Sequence, residues 1–195
     1  MEPITLTTDR LLLRPLASGD VDAVLAACQD PEIPRWTSVP SPYTREHAVG
    51  FVEQISADGW RDDSLYNFGV FTRDTGALVG SMGLVRLGQL AAPTHQAELG
   101  YWTAKEQRGR GYTVEAARAV CAWAFDALGV ERIEWYAEAG NEGSRAVARR
   151  TGFVMEGTMR SKIVQQGTRR DAWHGSLLPS DWDRATATPY LPHPA

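Results

Sequence analysis

Gln107-Arg108-Gly109-Arg110-Gly111-Tyr112 is the stretch on which the reading of this chain turns. Ahead of it, Ala97-Glu98-Leu99-Gly100-Tyr101-Trp102 reads as a strand. Behind it, Val114, Ala117, Cys121, Ala124, Phe125 and Leu128 are spaced three, four, three, one and three apart. That spacing keeps them on one face of a helix. The order is strand, glycine turn, helix. Glycine admits backbone conformations closed to other residues and lets a ligand approach the main chain. The first turn of a helix offers unpaired N–H groups and a dipole that favours negative charge. Such a turn can cradle a phosphate, and Arg108 and Arg110 add positive charge beside it.

Other phosphate loops are excluded. There is no Gly-x-x-x-x-Gly-Lys-Ser/Thr and no Gly-x-Gly-x-x-Gly near the chain start. A tight turn carrying two solvated arginines would look the same in isolation. A second constellation further on, Asn141-Glu142-Gly143-Ser144 and then Gly152-Phe153, adds weight to the functional reading.

Together these residues resemble the GCN5-related N-acetyltransferase (GNAT) superfamily, and within it the RimJ/RimL-type branch that acetylates ribosomal-protein N-termini. The superfamily signature is Arg/Gln-x-x-Gly-x-Gly/Ala. Arg108, Gly111 and Thr113 fill those places, with Thr113 where Gly or Ala is usual. The branch also reads Gly-x-Gly-Tyr-x-x-Glu-Ala, matched by Gly109-Arg-Gly-Tyr-Thr-Val-Glu115-Ala116. Its Asn-x-x-Ser and Gly-Phe are matched by Asn141, Ser144, Gly152 and Phe153. The resemblance spans residues 8 to 182. It implies an α+β, three-layer GNAT fold: a mixed, mostly antiparallel sheet of about seven strands flanked by about four helices.

Composition agrees with one ordinary domain. At 195 residues and 43% hydrophobic the chain can bury a substantial core. A net charge of −4 gives no reason to expect a nucleic-acid surface. Cys28 and Cys121 lack metal spacing and read as buried thiols in a reducing compartment. His47, His95, His174 and His193 have no ligand spacing either, so no metal is expected. No apolar run is long enough for a membrane span, and the start has no targeting pattern. A cytoplasmic protein is the expectation. Residues 1–184 read as a single domain, with 185–195 a proline-rich, poorly ordered tail.

Along the chain, residues 5–16 read as a first strand and 21–28 as a helix that Asp20 can cap. Residues 30–43, with four prolines in fourteen positions, read as a loop. Trp36 and Tyr43 within it either plug onto the core or wall the acceptor pocket. Thr44 is a plausible cap for a helix carrying His47, Phe51 and Ile55. A hairpin around Arg73-Asp74-Thr75-Gly76 follows, its first strand alternating Tyr66, Phe68 and Val70 with Asn67, Gly69 and Phe71. Residues 88–95 read as a loose connection, 132–138 as a strand, and 141–150 as a short helix closed by Gly152. Phe153–Gly157 starts another strand, and 158–178 reads as a hairpin turning at Gln165-Gln166-Gly167-Thr168.

The resemblance also implies the chemistry: acetyl-CoA as acyl donor, transfer directly to an amine, and no covalent enzyme intermediate. Arg108, Gly109, Arg110, Gly111, Tyr112 and Thr113 are assigned to the pyrophosphate. Trp102 and Thr103, on a strand that splays from its neighbour, are assigned to the pantetheine, and Asn141 to a further cofactor contact. Glu98 is the candidate base. It precedes Trp102 by four residues and so shares its face of the strand. With an unperturbed pKa of about 4.3 it would need partial burial and a relay water. A solvated or salt-bridged strand residue is the competing reading. Glu115, in the first turn of the helix, is read as structural. The tyrosine that many members use as the acid is Ala148 here. Ser144 takes that role by resemblance, unless it only caps its helix. Trp36 and Tyr43 are assigned to the amine.

The acceptor is expected to be a protein N-terminal α-amine, and a homodimer is expected. The alternatives are a small-molecule amine, succinyl-CoA as donor, or a non-catalytic acyl-CoA-binding regulatory module.

Overall fold

The computed structural model describes residues 1–91, 93–165 and 167–192. Gln166 of the expected hairpin turn, His193 and the end of the expected tail lie outside the described residues. The strands are β1 (Leu6–Thr7), β2 (Leu11–Arg14), β3 (Tyr66–Thr72), β4 (Leu78–Val85), β5 (Gln96–Thr103), β6 (Arg132–Glu138), β7 (Val154–Gln165) and β8 (Thr168–Leu177). They form one sheet in the order β1-β2-β3-β4-β5-β6-β8-β7. All neighbours pair antiparallel except β5 and β6, which are parallel.

Among the described residues eight strands stand where about seven were expected, because residues 5–16 fold back on themselves. The Leu11 amide donates to Thr8 Oγ1 and the Thr8 amide to Leu11 O, closing a tight turn between β1 and β2. The helices are α1 (Val21–Ala27), α2 (Glu32–Trp36), α3 (Arg45–Val49), α4 (Ser56–Asp62), α5 (Tyr112–Leu128) and α6 (Glu142–Thr151). Among the described residues these are six rather than about four. A π-helical stretch, Gly50–Ile55, joins α3 to α4. Helix α2 corrects the reading of 30–43 as all loop. Pro31 caps it and Pro34 sits in its first turn, where a helix needs no N–H donor, so neither proline breaks it. Thr44 does cap α3, its hydroxyl accepting from the His47 amide.

Two apolar clusters cover the sheet. Along β5, Ala97, Leu99 and Tyr101 join the cluster built on α5, whereas Trp102 joins the one built on α1 and α3. Strand β3 is buried at every position and not by alternation, because it lies in the middle of a sheet covered on both faces. Helix α5 buries Ala117, Cys121, Ala124 and Phe125 of the predicted face together with Ala116, Val120 and Trp123, while Val114 and Leu128 stay half-buried. Cys28 and Cys121 are buried free thiols. Strand β7 starts directly after Phe153 and runs through two irregularities into the hairpin, so the two expected elements are one.

One feature of the sheet positions the site. β5 and β6 pair only at Gln96↔Arg132, Ala97↔Ile133 and Glu98↔Glu134. Beyond that point β5 stays with β4 as far as Thr103, and β6 stays with β8 as far as Glu138. The sheet forks there, as the resemblance implied.

Candidate active site

The glycine turn sits at one mouth of the fork. Gly109 and Gly111 have φ of 75° and 78°, a left-handed backbone that side chains resist. A Cβ at Gly109 would meet nothing within 4 Å, so the turn faces open space. The first turn of α5 starts at Tyr112 and aims its amides there. A cavity of about 520 Å³ lies against the turn, lined among others by Trp102, Thr103, Gly109, Gly111, Thr113 and Asn141.

Other assigned residues behave differently. Arg108 lines this cavity, but its guanidinium is tied back: Nη2 lies 2.6 Å from Asp30 Oδ2 and Nε donates to Thr103 O at 3.1 Å. It fixes the turn more than it offers free charge. Arg110 and Tyr112 lie outside the cavity lining. Arg110 is exposed, and Tyr112 packs beneath the Arg10 guanidinium, 4.6 Å from its ring centre. Thr113 finds a use for its hydroxyl, pairing with Thr103 Oγ1 at 2.8 Å. Glu115 is structural: burial pushes its carboxyl up, but hydrogen bonds from Thr8 Oγ1, the Arg10 amide and Arg10 Nε, with the Arg10 charge, together outweigh that and hold it below the usual range. Gln107, not assigned a role from sequence, lines the cavity with a buried Oε1 that has no hydrogen-bond partner.

A second cavity of about 820 Å³ opens on the other side of the fork. Glu98, Tyr43, Phe51, Tyr136, Lys162 and Gln165 are among its walls. Burial pushes the Glu98 carboxyl above its usual range; Arg86 and Lys162 pull it back, and Glu134, its cross-strand partner, pushes it further up. Arg86 Nε comes within 2.9 Å of Glu98 Oε2 without hydrogen-bond geometry, so that oxygen stays ion-paired but unbonded. Trp36 reaches both cavities, with Nε1 on Glu32 Oε2 and the Arg35 guanidinium stacked over its ring. Tyr43 lies beside His47 with ring centres 5.6 Å apart. Gln165 latches the β7–β8 hairpin over the cavity, its amide donating to Pro34 O at 2.8 Å and Thr37 O at 2.6 Å. Arg35 and Arg170 clamp Glu138 beneath that latch, and Arg35 above all holds the Glu138 carboxyl below its usual range.

The cavities meet at Trp36, Thr37, Tyr101, Trp102, Asn141 and Ser144, which line both. Asn141 is the cap of α6, accepting from the Ser144 amide at 3.0 Å. Ser144 therefore is not the cap, and its hydroxyl is available for other work. It accepts from Trp135 Nε1 at 3.0 Å and donates to Tyr101 Oη at 3.1 Å. Neither Tyr101 nor Trp135 was assigned to the site from sequence; Trp135 suggests β surface there, but it is buried at 1% exposure. Their pairing with Ser144 crosses from β5 and β6 to α6, and no local pattern encodes it.

Among the described residues no group of three or more His, Cys, Asp and Glu is placed to hold a metal ion. Among the same residues no helix is long and apolar enough to cross a membrane.

The acetyltransferase (GNAT) domain profile matches residues 10–154. The chain belongs to that family and is an acetyltransferase. It is similar to the uncharacterized N-acetyltransferase YoaA of Bacillus subtilis (strain 168), with 31% identity over 88% of this chain and 94% of that one. Among solved structures, a GCN5-related N-acetyltransferase from Brucella melitensis shares 26% identity at a TM-score of 0.79, covering 94% of this chain and 82% of that one. A candidate ribosomal-protein-serine acetyltransferase from Vibrio cholerae is 26% identical at a TM-score of 0.78, over 90% of this chain and 98% of that one.

Proposed function

We propose that this enzyme moves an acetyl group from acetyl-CoA directly to an α-amine, the N-terminus of a protein or peptide. The observation that carries the reading is the fork at Glu98↔Glu134, which separates a cavity on the glycine turn from a cavity on Glu98 and lets them meet at Ser144.

The residues fit the donor. Among the described residues the β6-facing edge of β5 beyond Glu98 has no strand partner, Gln107 Oε1 is a buried acceptor without a donor, and Gly109 faces open space. The free edge of β5 would pair with the pantetheine amides, as a strand edge pairs with an extended ligand. The 109–113 amides would hold the pyrophosphate. Bound acetyl-CoA supplies a thioester, an acyl group already activated for attack.

The remaining work falls to the chain. Glu98 takes the amine's proton, through a water. Its raised pKa brings it closer to the amine, which a carboxylate in water would serve poorly. An α-amine has a pKa near 8, against about 10.4 for lysine, so at neutral pH roughly one in ten is already neutral. A modest carboxylate base serves the former far better than the latter. Ser144, at the junction, gives a proton to the departing thiolate. The similarity to the Vibrio cholerae protein, named for ribosomal-protein serine, supports a protein N-terminus as acceptor. Strand β7, exposed along most of its length with Val154 and Val164 at the surface, supports a homodimer; a one-copy mass in light scattering would overturn that.

Mass spectrometry tests the main reading, using acetyl-CoA and succinyl-CoA as donors. The acceptors are peptides with a free N-terminus, Nα-blocked lysine peptides and polyamines. The expected product is a singly acetylated N-terminus. Preferential turnover of lysine side chains or polyamines would overturn the α-amine assignment, and transfer from succinyl-CoA alone would overturn the donor.

A further inference from the structure

A serine hydroxyl is a far weaker acid than a thiol, whose pKa is about 8.5. Left to itself, Ser144 would hold its proton against a departing thiolate. The reaction therefore needs something that stabilises Ser144 Oγ as the proton leaves.

The junction contains that arrangement. Trp135 Nε1 donates to Ser144 Oγ at 3.0 Å, and an indole N–H can only donate. Trp135 is 1% exposed, so water does not dilute that contact. Tyr101 Oη lies 3.1 Å from Ser144 Oγ and 2.9 Å from Ser144 O. A phenol can rotate its proton between two such acceptors. With the proton on Ser144 O, Ser144 donates to Tyr101. With it turned to Oγ, Ser144 receives two hydrogen bonds and its own proton points into the junction of the cavities. Burial pushes the Tyr101 hydroxyl well above its ordinary pKa, which keeps it a neutral donor. The Asn141 cap fixes the backbone of Ser144 meanwhile.

We propose that Tyr101 and Trp135 are positioning residues that turn Ser144 into the proton donor, Tyr101 by rotating its hydroxyl onto Oγ and Trp135 by a fixed indole hydrogen bond. This rests on the reading of Ser144 as the acid. As the thioester C–S bond breaks with its electron pair on sulfur, the Ser144 O–H bond breaks with its pair on Oγ and an S–H bond forms. The amine reaches the carbonyl carbon neutral, its ammonium proton having passed through Glu98 to solvent; as the N–C bond forms, one N–H proton leaves by the same route, and solvent returns one proton to Ser144. Hydrogen bonds from two donors to the nascent oxyanion lower the cost of that step, as donors around any developing charge do.

The test compares Tyr101→Phe, Ser144→Ala and the double variant. Tyr101→Phe should lower kcat about tenfold or more, with KM unchanged for amine and donor, since a hydrogen bond to a charged group is lost. The double variant should be no slower than Ser144→Ala, because Tyr101 acts only through Ser144. A second readout needs no turnover: the pKa of the CoA thiol bound to the protein, followed by thiolate ultraviolet absorbance. It should rise in Ser144→Ala and by a smaller step in Tyr101→Phe. Should Tyr101→Phe fold poorly, Tyr101→fluorotyrosine, with a more acidic phenol, should raise kcat instead. A Tyr101→Phe enzyme with wild-type kcat and wild-type CoA thiol pKa overturns the proposal, and so does a double variant much slower than Ser144→Ala. If Ser144→Ala itself turns over at the wild-type rate, the reading of Ser144 has failed first.

Discussion

The two cavities at the fork are built in opposite ways. The cavity on the glycine turn is lined largely by short contiguous stretches, the turn from Gln107 to Thr113, the end of β5 and the start of α6 from Gly140 to Ser144. The cavity on Glu98 is assembled from Trp36 at the end of α2, the 37–43 loop, the π-helical stretch, the end of β4, β5, β6 and the 162–165 end of β7. A ligand held by backbone amides needs left-handed turns and helix starts, and those leave glycines and caps in the sequence. A ligand walled by side chains from distant segments leaves no local pattern. The two carboxylates beside the cavity on Glu98 repeat the contrast. Glu138 is clamped by Arg35 and Arg170 and held below the usual range, a structural ion pair. Glu98 is pushed above it by burial, with an ion pair that only partly compensates.

The largest effect is expected at the glycine turn. Gly111→Asp places a carboxylate, at φ 78°, where the cradle should take an anion. Acetyl-CoA affinity should fall by about a hundredfold or more in calorimetry, as like charge replaces an anion site. Undiminished affinity in a folded variant would remove the turn from the donor site. Next, Ser144→Ala should lower kcat by about a hundredfold with both KM values nearly unchanged. Helix α6 should persist, because Asn141 and not Ser144 is its cap. A smaller change is expected from Gln165→Ala, which frees the hairpin from Pro34 and Thr37. The amine KM should rise several-fold while acetyl-CoA affinity stays put, and a loss of donor affinity would show that the cavities are not separate units.

The smallest effect separates the carboxylates by stability. The raised pKa of Glu98 means that the folded state favours its protonated form, so its contribution is fully present below the unfolded value and lost as pH rises through the folded one. Glu98→Gln should therefore raise Tm by a few degrees near neutral pH, with the gain vanishing in acid. Glu138 has the opposite sign: its stabilisation is present above the unfolded value and lost as pH falls through the folded one. Glu138→Gln should lower Tm near neutral pH. Thermal melts of both variants across the acid range check the pair, and equal signs would break the contrast.

How much was legible follows the same division. The strand, turn and helix from Ala97 to Leu128 stand where the glycines and the apolar spacing put them. The splay of β5 came from family resemblance, and the register after Glu98↔Glu134 bears it out. Arg108 and Arg110 show the limit of reading charge from sequence. One is held by Asp30 and the other lies off the cavity, and neither fate depends on its neighbours in the chain. Helix α2 was hidden because prolines read as breakers regardless of their place in a helical turn. Tyr101 and Trp135 were hidden because their roles come from one side-chain oxygen on α6. Gln165 was hidden because its partners are carbonyls some 130 residues away.

The most direct test of Glu98 as the base on the amine side of the fork is its pH–rate profile. With an α-amine peptide as acceptor, kcat/KM of wild type and Glu98→Gln would be measured from about pH 6 to about pH 9. The expected result is a Glu98→Gln enzyme depressed most at low pH and approaching the wild type as the amine, near pKa 8, deprotonates unaided. A Glu98→Gln profile that overlays the wild type throughout contradicts the account.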